Sequence, residues 1–180
     1  SMDYAMRLAA SFEGRVTGTY ICPSPITAMA PYDAPQLLSS VLEEIRELEE
    51  EARSGCNAFV ARAGELSVRK ALWQVAEGNL PDVLAHLGNW HDVVVLGRDP
   101  KTNLSTAAML GSAVLGSRMP CIVVPPDCAL PRFDCVALAW NHSPEAIRAI
   151  HAARPILARA RRIVVLVGEP GIGKSRLAAE

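Results

Sequence analysis

Two stretches of this sequence place glycines where a backbone could hold a phosphate. The first, Gly168-Glu169-Pro170-Gly171-Ile172-Gly173-Lys174-Ser175, fits GxxxxGK[ST]. Glycine lets backbone N–H groups close on phosphate oxygens, a lysine at this spacing reaches the β/γ-phosphates, and the hydroxyl reaches Mg²⁺. The run follows an apolar strand-like segment, Ile163–Val167, and precedes helix-like Arg176–Ala179, the context a P-loop requires. Read this way, Gly168, Gly171 and Gly173 shape the cradle, Lys174 supplies charge and Ser175 holds the metal, which is the equipment of a nucleotide hydrolase. No earlier strand supplies the metal-binding aspartate such an enzyme needs after its apolar run: Asp92 stands before Val93–Leu96.

The second stretch is 91–126, HDVVVLGRDPKTNLSTAAMLGSAVLGSRMPCIVVPP. Two continuous apolar runs, Val93–Leu96 and Cys121–Val124, are joined by a polar loop and a helix-like segment containing Gly111-Ser112. Runs that need not alternate belong to parallel strands covered on both faces, so the stretch reads as a βαβ unit. Ligands of such sheets sit at the carboxyl ends of strands, which puts the loop after Gly97 first in any search for a site. Gly111 and Gly116 have a second reading, in which small residues let a helix lie close to its neighbours. The histidines, His86, His91, His142 and His151, show no metal-ligand spacing.

The elements that position these stretches fit one α/β class. Residues 3–13 read as a helix with Tyr4, Leu8 and Phe12 on one face, and Arg15–Cys22 reads as a strand. Asp33, Pro35 and Gln36 signal the start of a long helix. Its apolar face is Leu38, Val41, Leu42, Ile45, Leu48 and Ala52, and its acidic face reads as solvated; Ser54-Gly55 is a break point. Ala71–Ala76 is a strand, Gly78-Asn79 a turn and Pro81–Leu87 a short helix. Past a linker, Cys135–Trp140 and Ile163–Val167 are strands. Between them runs a helix capped by Ser143-Pro144-Glu145 and kinked by Pro155.

Bulk composition excludes several partners. The 180 residues are 50% hydrophobic and 21% charged, with a net charge of −1, so no basic field calls for nucleic acid or anionic lipid. No apolar run spans a membrane and SMDYAMRLAA lacks a signal-peptide core. Five cysteines without a CxxC pair point to reduced thiols, hence a cytoplasmic protein with no cysteine metal site.

DVVVLG (92–97), Gly111-Ser112 and PCIVVPP (120–126) resemble the universal stress protein family. VALAWNHSPEAIRAI (136–150) resembles the opening strand and helix of a second such domain. The resemblance implies an α/β flavodoxin-like parallel sheet of order 3-2-1-4-5 with helices on both faces. It also implies a regulatory, non-catalytic role in stress response, with no catalytic residue and no metal site, and ATP or AMP as ligand. Nucleotide-binding members share a glycine, two residues, a second glycine, nine residues, then Gly-Ser or Gly-Thr. Gly97 matches the first position and Gly111-Ser112 the last. Pro100 replaces the middle glycine, and ten residues separate it from Gly111. Lys101 could add phosphate charge. The aspartate that often ends the family's first strand is replaced here by Asn141.

The implied organisation is tandem. Residues 3–126 form one domain lacking its first strand, 127–133 a linker, 134–167 the start of a second repeat, and 168–180 the P-loop-like segment. That segment looks like the Walker A run of signalling ATPases. A sheet without its central strand exposes edges on both sides of the gap. The expected partner is a second copy, in a homodimer with Cys135–Trp140 filling the gap in cis or by strand swapping. Three functions follow: a nucleotide-responsive module, a P-loop hydrolase or its fragment, and a dimerisation module without ligand.

Overall fold

The computed structural model describes residues 1–22, 35–98, 107–128 and 130–168, without the side chains of 35–38, 40, 41, 44 and 107. The expectations for Asp33, Gln36, Leu38, Val41, Pro100, Lys101 and the P-loop from Glu169 to Ser175 lie outside the described residues. The chain is α/β and divides into two compact units, Ser1–Leu130 and Pro131–Glu180. The first contains α1 (Met2–Ser11), β1 (Arg15–Cys22), α2 (Pro35–Glu65), β2 (Lys70–Glu77), α3 (Leu80–Leu87), β3 (Val94–Gly97), α4 (Ala107–Ser117) and β4 (Cys121–Val124). The second contains β5 (Cys135–Trp140), α5 (Pro144–Leu157) and β6 (Arg162–Val167).

In the first unit, α1 buries Met6 and Leu8 rather than the full Tyr4–Leu8–Phe12 stripe. Gly14 N–H closes the helix end on Ala9 O at 2.8 Å. α2 runs unbroken for 31 residues, which corrects the expected break at Ser54-Gly55. Ser54 Oγ bonds back to Glu51 O at 2.7 Å and so stays within the helix. Its buried stripe is Ile45, Ala52, Phe59 and Ala63, while Leu42 is exposed. Glu43, Glu47, Glu50 and Glu51 face solvent, as an amphipathic helix requires.

α2 covers one face of the parallel β1–β2 pair, whose register runs from Arg15↔Lys70 to Cys22↔Glu77. Trp73 is the anchor. Its indole N–H donates to Ala52 O at 2.7 Å and its ring meets that of Phe59 at 5.1 Å. A methyl on Gly18 would come within 2.5 Å of the Trp73 ring, so β1 carries a glycine there to admit the indole. Met6, Phe59 and Ala63 form one core cluster.

Leu84, Leu96 and Ala113 form a second cluster, on α3, β3 and α4. α3 starts on Asn79, whose side-chain oxygen accepts from Asp82 N–H at 3.0 Å. β3 and β4 pair in parallel, Val94↔Cys121 to Gly97↔Val124. This is the βαβ unit read from the sequence, although Val93 and Val123 keep more than a third of their surface exposed.

The strands form three two-stranded sheets, β1–β2, β3–β4 and β5–β6. Among the described residues these pairs are not joined into the single sheet of order 3-2-1-4-5.

The second unit is one βαβ. Ser143 caps α5, its hydroxyl accepting from Ala146 N–H at 3.2 Å, with Pro144 in the first turn. α5 continues through Pro155 to Leu157. No described residue of this unit is buried, and Ile163, Val164, Val165 and Val167 of β6 are exposed. Among the described residues no helix is long and apolar enough to cross a membrane.

Candidate functional site

The carboxyl end of β3 is built from the ladder outward. Val94 N–H donates to Pro120 O at 2.9 Å and Arg98 N–H to Val124 O at 2.8 Å. In a parallel strand, alternate residues point their backbone groups to opposite sides. Val94, Leu96 and Arg98 therefore face β4, while Val95 and Gly97 turn theirs to the free edge. Gly97 also lies against the start of α1. A methyl on it would come within 2.6 Å of Ser1 Oγ and 2.7 Å of Ser1 Cβ. Glycine permits this approach, and the α1 N-terminus brings its positive dipole end to the same place.

The glycines of α4 separate into two roles. A methyl on Gly116 would come within 2.8 Å of Pro81 Cβ, so Gly116 packs α4 onto α3. A methyl on Gly111 would meet no described atom within 4 Å, so packing does not account for that glycine. Ser112 beside it is exposed. In a helix running from Ala107, the N–H groups of both residues already lie past the first four. What the pair offers a ligand is open space at Gly111 and the Ser112 hydroxyl.

Asn141 sits at the end of β5 in the second unit. Its side-chain oxygen accepts from Ser143 Oγ at 2.7 Å and from Ser143 N–H at 3.2 Å. The oxygen is thus occupied in holding the cap of α5, leaving the amide N–H₂ as donor. Gly168 N–H donates to Trp140 O at 3.1 Å, so the P-loop motif starts at the carboxyl end of the β5–β6 ladder. Gly97, Gly111 and Ser112 belong to one unit, Asn141 and Gly168 to the other.

A cavity of about 1150 Å³ lies elsewhere in the first unit. It runs along the β1–β2 face opposite α2, between Thr17, Leu72 and Gln74 on the strands and His86, Trp90 and His91 beyond α3. His91 spans it: Nδ1 lies 2.9 Å from Leu87 O and Nε2 3.0 Å from Thr17 Oγ1. A carbonyl can only accept, so Nδ1 donates to Leu87 O, while Nε2 pairs with the threonine hydroxyl. This histidine is a structural bridge. Sequence reading missed it because Thr17 lies far away along the chain and nothing local marks it.

Among the described residues, charge at the site is sparse. The bidentate pair nearest the α1 N-terminus is Arg62 with Asp3, Nε–Oδ1 3.1 Å and Nη2–Oδ2 2.5 Å. The Arg62 hydrogen bond holds the Asp3 carboxyl below its ordinary value. Burial pushes the Cys22 thiol up, as befits an inert core thiol.

The fold is an α/β arrangement of parallel strand pairs with crossover helices. Among solved structures it is similar to the universal stress protein UspA from Lactobacillus plantarum. The TM-score is 0.55 at 15% identity, over 67% of this chain and 83% of that one. No protein-family model matches the sequence, and no curated protein matches it. The likeness is one of fold.

Proposed function

We propose that the chain is a universal stress protein-like regulatory module that binds ATP or AMP, without catalysis, at the loop following β3. The observation that carries this reading is the contrast within α4. Gly116 is required for packing, whereas Gly111, on the strand–loop–helix unit that Gly97 begins, is glycine with no packing reason among the described residues. Ser112 Oγ and the open face at Gly111 would take the phosphates, with Lys101 adding charge. The α1 N-terminus at Gly97 favours an anion. Equilibrium titration with ATP and with AMP tests it. Saturable binding below millimolar ligand, weakened by Gly111→Arg, is expected. No binding at millimolar ligand would leave a dimerisation module without ligand.

A second reading is favoured by the bond from Gly168 to Trp140. It starts GxxxxGKS at the carboxyl end of a parallel strand, where a P-loop works. In this reading Lys174 binds the β/γ-phosphates and Ser175 binds Mg²⁺. Mg²⁺-dependent ATP hydrolysis would then fall on Lys174→Ala. Equal background rates for wild type and variant would eliminate it.

A further inference from the structure

We draw no further inference here: the strongest candidate, the open groove along the β1–β2 face opposite α2, with Arg15, Arg69, Glu77 and Asp82 among its lining residues, carries none because its charges are of both signs and nothing in the structure shows what covers it.

Discussion

The two units carry the same local grammar and reach opposite outcomes. Each has a helix with a clear start, a short turn and a β-branched strand. In the first, Met6, Phe59 and Ala63 close one face of β1–β2, while Leu84, Leu96 and Ala113 join β3 to α3 and α4. In the second, Ser143 caps α5 well, yet β6 leaves Val165 54% and Val167 69% exposed. Capping and strand propensity thus suffice to form elements. A core needs apolar surface arriving from at least two layers, and among the described residues only the first unit has both.

That comparison can be broken most sharply at Phe59. Phe59→Ala is expected to cost about 3–5 kcal/mol in urea unfolding of the first unit, while Val165→Ala in β6 stays within roughly 0.5 kcal/mol. Comparable losses would mean that the second unit has a core as well. Next in size is Gly116→Ala, which forces a methyl against the rigid Pro81 ring. A loss of about 1–3 kcal/mol is expected from overpacking, read as a lower unfolding midpoint. Ser143→Ala removes the α5 cap and is expected to lower helix content in the second unit by circular dichroism, at about 1 kcal/mol. No change in the signal would show that the unit is held by something other than its local structure.

Gly111→Ala runs the other way. With nothing near its methyl, it is expected to raise stability by roughly 0.5–1 kcal/mol through helix propensity, while narrowing the space proposed for phosphate. A destabilised variant would restore the packing reading. The smallest effect concerns pH. Because Arg62 holds the Asp3 carboxyl down, its contribution is present above the ordinary value of 3.8 and is lost as pH falls through the lower folded value. Asp3→Asn is expected to remove a small part of the acid limb of the stability profile and to leave a modest deficit at neutral pH. The Arg62 side chain is 41% and the Asp3 side chain 34% exposed, so solvent screening keeps the contribution small.

Much of the element pattern was legible because caps and periodicity are local. Ser143 and the prolines Pro35, Pro81 and Pro144 lie where the helices begin, Asn79 of the turn proves to be the cap of α3, and the βαβ of 94–124 appears as read. What was illegible depends on distant neighbours. The long helix survives Ser54-Gly55 because Ser54 bonds within the helix and Trp73 supports Gly55 from β2. The distinction between Gly111 and Gly116 rests on Pro81, far away in sequence. The sheet order presupposed strands continuing across gaps that the ladders leave open, since hydrophobic runs announce strands but not their partners. Of the candidate site, Gly97 was readable as a strand end, but the approach of Ser1 to it was not.

The central claim is that nucleotide acts on the first unit at the carboxyl end of β3. Amide hydrogen exchange of the full chain with and without ATP tests it most directly. Added protection at 94–98 and 107–112, with 139–146 and 168 unchanged, is the predicted result. Protection confined to 139–146 and 168 would contradict it and move the nucleotide to the second unit.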